Sequence, residues 1–103
     1  MDRARTGAFA DAAKAIGART AGIVRDAVAA AVDGRSTVYA AIATVAGAIG
    51  VQEAWSALAI NDRMQQAFGA RPSGHRDPQR EAATFLVTSA ITPDQAATIA
   101  GRE

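Results

Sequence analysis

The chain has 103 residues, which is enough for one domain. Half of the residues are hydrophobic, but 28 of these are Ala and only 23 are larger, and the formal net charge is +1. A charge so close to zero excludes the highly charged class of disordered chains, and the absence of Cys excludes disulfide scaffolds, thiolate metal sites and cysteine nucleophiles. The composition therefore predicts an ordered, Ala-rich, all-helical protein.

The first predicted helix covers residues 3–32. Larger apolar residues recur in it at the spacing of an amphipathic helix, as Phe9, Ile16 and Ile23. Gly34 is expected to end this helix, because Gly commonly takes the left-handed conformation just past a helix end. Each glycine inside a helix disfavours it by about 1 kcal/mol relative to Ala. Whether the helix continues through Gly17 and Gly22 is therefore left open.

Ser36 or Thr37 can cap a second helix, which is predicted to end at about Phe68. A heptad-like seam of apolar residues follows its first half, through Val38, Ile42, Val45 and Ile49. Small residues form two pairs with a spacing of four, Ala43 with Gly47 and Ala46 with Gly50. Because only a short turn around Gly34 and Arg35 separates the two helices, the sequence predicts a long antiparallel helical hairpin over residues 1–68.

Residues 69–76 contain Gly, Pro and basic residues without periodicity, and they predict a linker. Asp77, followed by proline, is a typical start of a helix. Thr92 and Gln95 have the spacing of a capping box for one more helix. Residues 77–103 are therefore predicted to form a short helical pair after the hairpin.

Residues suited to catalysis or metal binding are few. His75 is the single histidine, and Ser73 and Asp77 lie beside it in a stretch without rigid support. His75 and Asp77 would supply two metal ligands where three or four are normal. We therefore expect no enzyme activity, no metal and no cofactor.

The expected function is that of a small, non-enzymatic interaction or assembly protein that self-associates or docks on a protein partner. Two helices packed as a hairpin bury one face of each, and the apolar stripe of the second helix drifts onto a further face beyond residue 50. The small residues Ala43, Ala46, Gly47 and Gly50 let another backbone approach the second helix closely. The predicted interface consists of Val38, Ile42, Ala43, Gly47, Gly50, Val51, Trp55 and Leu58.

The alternative is a nucleic-acid-binding or regulatory protein. The C-terminal pair has the outline of a helix-turn-helix, in which Ala96, Ile99 and Ala100 would pack inward. Arginine can bind phosphates through two hydrogen bonds. The candidate contact residues are Arg71, Arg76, Arg80, Gln95 and Arg102.

A second alternative is a membrane-associated helix, because Glu53 is the single charged residue in the range 36–60. A membrane span usually needs about 18 to 20 predominantly apolar residues. The Gly, Ser and Thr residues of this range therefore argue against a membrane-spanning helix. The sequence favours a buried central helix instead. Since the chain starts without the apolar segment of a signal peptide, a cytoplasmic location is expected.

Overall fold

The computed structural model describes residues 2–68 and 77–102, which form six helices. These helices are α1 (Asp2–Ile16), α2 (Ala18–Val32), α3 (Val38–Ala48), α4 (Val51–Phe68), α5 (Pro78–Ala90) and α6 (Pro93–Arg102). Neither described range contains a strand, so the prediction of an all-helical protein is confirmed for them. The predicted linker, residues 69–76, lies outside the described residues.

The range 3–32 forms two helices, α1 and α2, and the continuity left open by the sequence is interrupted at Gly17, where the chain leaves the helical conformation. This residue has φ 89° and ψ 163°, a combination that is essentially restricted to glycine. Its backbone N–H still donates to the carbonyl of Ala13 at 3.0 Å, and its carbonyl accepts from the N–H of Ala21 at 3.1 Å. Gly17 therefore changes the direction of the chain while it remains hydrogen-bonded to both helices.

The second predicted helix, over residues 36–68, is also broken. Ile49 has an extended conformation, with φ −82° and ψ 145°, and this leaves carbonyl groups at the end of α3 without helical partners. The side-chain amide of Gln79, from the first turn of α5, donates to the carbonyl of Ile49 at 2.8 Å and to that of Ala46 at 3.5 Å. A side chain from another helix thus caps the C-terminus of α3.

The predicted helix starts agree with the hydrogen bonds in three places. Thr37, and not Ser36, caps α3: its Oγ1 accepts from the backbone N–H three residues on, at 3.0 Å. Asp77 caps α5 by accepting from the backbone N–H two residues on, at 3.1 Å. Thr92 and Gln95 form a reciprocal capping box at α6, with bonds of 3.0 and 3.2 Å.

The core lies around α5, which packs against α1, α2, α3 and α4. Helix α2 also packs against α3, and α1 against α4, while α6 packs mainly against α2. Leu86 and Val87 of α5 have no exposed surface. Of the seventeen buried hydrophobic residues among those described, nine are Ala, so the helices approach each other closely. Helix α5 therefore shares one core with the first four helices, whereas α6 has no buried residue.

Gly17→Ala is expected to lower the free energy of unfolding by about 1 to 3 kcal/mol, because a side chain is strained at this φ and ψ. Gly22→Ala is the matched control. A Cβ atom at either position would meet nothing within 4 Å, but Gly22 lies inside α2, where Ala is more stable by about 0.5 to 1 kcal/mol. Chemical denaturation measures both changes, and effects of the same sign would contradict the break at Gly17.

Candidate interaction surface

One side of α3 is exposed and carries no charge. We call this side the α3 face, and it consists of Tyr39, Ala40, Ala43, Thr44, Gly47 and Ala48. These residues form two rows with a spacing of four, which places them on one side of a helix. The hydroxyl of Thr44 donates to the carbonyl of Ala40 at 3.0 Å, so this hydroxyl proton already has a partner within the helix. Tyr39 is 74% exposed.

The seam predicted along α3 lies on the opposite side, where α3 packs against α2 and α5. Val45 and Ile49 are buried in the core, and Val38 and Ile42 are half-buried against it. Val38 and Ile42, which were predicted to contact a partner, therefore take part in the packing of the chain itself. The surface left for a partner is the side that carries Tyr39, Ala43 and Gly47.

The beginning of α4 exposes a second uncharged side. We call it the α4 face, and it consists of Val51, Gln52, Trp55 and Ala59. Val51 is 61% exposed and Trp55 is 58% exposed. Leu58, which was also predicted to contact a partner, is buried in the core instead. Trp55 and Leu58 are three residues apart and are therefore neighbours on the helix surface. They mark the boundary between the exposed side of α4 and the side that packs on the core.

The two faces contain no charged residue, although charged residues are common elsewhere in the chain. Glu53 is the single charge in the range 36–60. It is half-buried, and its carboxylate lies against Gly50. In the first turn of α4, this negative charge also interacts favourably with the positive end of the helix dipole. Gly50 is therefore partly covered by the chain itself. Low charge and enrichment in aromatic residues distinguish the centres of protein interfaces from ordinary surface.

Arg80 of α5 joins the edge of the α3 face. The central carbon of its guanidinium lies 5.5 Å from the centre of the Tyr39 ring, which is within the range of a cation–π interaction. Tyr and Arg, together with Trp, are the residues most enriched in the energetic centres of protein interfaces. No local pattern predicts this pair, because 41 positions separate Tyr39 from Arg80.

The candidate nucleic-acid contacts are not brought together among the described residues. Arg71 and Arg76 lie outside those residues. Arg80 lies over Tyr39, and Gln95 is half-buried with its amide oxygen accepting the backbone N–H at the start of α6. The guanidinium of Arg102 donates to the carbonyl of Val32. Each of the three described side chains is thus engaged within the chain.

The side chain of Arg102 donates a hydrogen bond to a backbone carbonyl at the C-terminal end of α2. Gly34 has φ 79°, as its predicted role requires, and the backbone N–H groups of Gly34 and Arg35 donate to carbonyls of the last turn at 3.2 and 2.9 Å. Arg102 then supplies a donor to the carbonyl of Val32.

A cleft of about 170 Å³ lies beside the end of α2. It is smaller than the roughly 300 to 1,000 Å³ of ordinary ligand pockets. The cleft is lined by Ala31, Gly34, Ser36, Thr37, Ile99 and Arg102.

Helix α6 does not pack as the helix-turn-helix hypothesis requires. Ala96 and Ala100 were predicted to face inward, but both are exposed, and only Ile99 of the three is half-buried. The reason is that α6 contacts mainly one helix, α2, instead of lying between helices. The side of α6 with Gln95, Ile99 and Arg102 faces the chain, so Gln95 and Arg102 do not point outward as a pair.

Residues 2–68 and 77–102 contain neither a cluster of metal ligands nor a membrane-spanning helix. No three His, Cys, Asp or Glu side chains in these ranges come together as metal ligands. None of the helices in these ranges has the length and apolar character needed to cross a membrane.

Comparisons of the chain with models of protein families, with curated proteins and with solved structures found no match.

Trp55→Ala is expected to lower the free energy of unfolding by only about 1 kcal/mol, because more than half of the side chain is exposed. Leu86→Ala is the control from the core, and it is expected to cost about 2 to 5 kcal/mol. Both are measured by denaturation followed by circular dichroism. A cost for Trp55→Ala that equals the cost for Leu86→Ala would contradict the exposure of the α4 face.

Proposed function

We propose that this chain is a non-enzymatic interaction protein that binds a protein chain, a second copy or another protein, through the α3 and α4 faces. One observation carries the proposal: the single Tyr and the single Trp of the sequence are both largely exposed, on surfaces without charge, while most of the core consists of Ala. Large aromatic side chains are the ones whose burial contributes most to stability. Their position on the surface therefore supports a role in binding.

Water still covers more than half of the surface of these two side chains. Burial of apolar surface contributes about 25 cal/mol per Å², and Tyr39 and Trp55 retain most of that contribution because they are 74% and 58% exposed. Scattered exposed apolar residues are common, but an uncharged surface that also includes aromatic residues is typical of an interaction site. The small residues Ala43 and Gly47 permit a partner to approach the backbone of α3 closely.

Nucleic acid is a less suitable partner for these faces. Its binding depends on neutralising phosphates with Lys and Arg, and neither face carries a positive charge. Arg80 lies at the edge of the α3 face, whereas nucleic-acid sites use several cations. The uncharged faces therefore favour a protein partner.

The proposal is tested by site-specific photo-crosslinking in the cells that make the protein. We expect Trp55→benzoylphenylalanine to form crosslinks to protein, either to a second copy or to another chain, because the side chain would lie in the interface. Arg25→benzoylphenylalanine is the matched control, since Arg25 is exposed on α2 beside the charged Asp26. Equal crosslinking from both positions, or crosslinks to nucleic acid alone, would contradict the proposal.

A further inference from the structure

We propose that α6 is a latch: it leaves α2 by local opening while α1 to α5 remain folded, and the side chain of Arg102 holds it closed. The inference concerns the docking of α6 and does not rest on the α3 or α4 face. Its failure and the failure of the proposed function are therefore separate outcomes. Three features carry it: the narrow contact of α6, its short link to α5 and the position of Arg102.

Helix α6 contacts the rest of the chain along one narrow line. Its contacts are mainly with α2, and none of its ten residues is buried. Gln95 and Ile99 are half-buried, and the other eight residues are exposed. Ile99 is the single large apolar side chain of the helix. Because regions with few buried apolar contacts open at a lower free energy than the core, α6 opens far more often than the whole chain unfolds.

The link between α5 and α6 permits this opening. Only Ile91 and Thr92 separate the two helices, and Ile91 has an extended backbone, with φ −78° and ψ 122°. The capping bonds of α6 run between Thr92 and Gln95, so they lie within the segment itself and do not attach it to α2. A helix of ten residues is marginal when isolated. Its contacts with α2 therefore decide whether α6 persists.

Arg102 supplies the polar attachment of α6 to α2. Its guanidinium donates to the carbonyl of Val32 at the C-terminal end of α2, where a positive charge is favourable. Within residues 2–68 and 77–102, this is the single hydrogen bond between α6 and another helix. A Cβ atom on Gly34 would lie 3.1 Å from a guanidinium nitrogen of Arg102. The absence of a side chain at Gly34 thus makes room for the attachment.

Opening of α6 uncovers the end of α2 and the turn that leads to α3. The cleft beside this turn has Ile99 and Arg102 on one side and residues of α2, the turn and the cap of α3 on the other. Departure of α6 removes one wall of the cleft and makes the half-buried Val32 and Ile99 accessible to water. Helix α6 therefore controls access to this end of the protein.

Native-state hydrogen exchange, measured residue by residue by NMR, tests the opening. Backbone amides in the second half of α6 are expected to be at least about a hundredfold less protected than those of Leu86 and Val87 in α5. Because the opening exposes little surface, their exchange should change little at low urea concentrations, whereas exchange at Leu86 and Val87 should rise steeply. Equal protection and equal urea dependence in the two helices would mean that α6 leaves only on global unfolding, and would overturn the inference.

Arg102→Met tests the role of the latch residue, because Met retains an unbranched apolar side chain but donates no hydrogen bond. It is expected to accelerate exchange in α6 by about two- to tenfold, as the loss of one hydrogen bond implies, and to leave α5 unchanged. Arg19→Met is the matched control, since Arg19 is exposed on α2 and lies about 20 Å from Val32 along the helix. Equal effects of the two substitutions on α6, or equal acceleration of α5 and α6 by Arg102→Met, would contradict the latch.

Discussion

The burial of α5 among four other helices is the interaction on which the rest of the structure depends. Leu86 and Val87 lie fully inside the core, while Ala82 and Ala83, also without exposure, allow the neighbouring helices to approach closely. Such packing gains many small dispersion contacts and does not require large side chains. Because α3 and α4 turn their apolar sides to this helix, their other sides remain outside, and Tyr39 is exposed on one of them.

The two breaks in the predicted long helices allow shorter helices to pack around the same core. A straight helix over residues 3–32 would be about 45 Å long, whereas the longest dimension of the protein is 33 Å. At Gly17 the chain can turn because glycine tolerates the required backbone angles. At Ile49 it turns because Gln79 from α5 supplies the hydrogen bonds that the break removes. Shorter helices can then surround α5, which has 13 residues.

Local signals in the sequence were sufficient for the starts of α3, α5 and α6 and for the turn at Gly34, because each depends on residues within a few positions. The breaks could not be predicted in this way: Gly22 remains inside α2 although it is the same residue type as Gly17. The exposure of Trp55 was expected from the drift of the apolar stripe, whereas the burial of Leu58 required knowledge of where α5 lies. The contact between Tyr39 and Arg80 depends on the packing of distant helices.

Helix α5 completes the core and thereby determines which sides of α3 and α4 are exposed. Thermal unfolding of a chain that ends after Phe68, followed by circular dichroism, tests this dependence. A chain that ends after Thr92 is the control, because it loses only α6, which has no buried residue. The chain ending at Phe68 should lose its cooperative transition while the control keeps it; a cooperative helical transition without α5 would show that residues 1–68 fold alone.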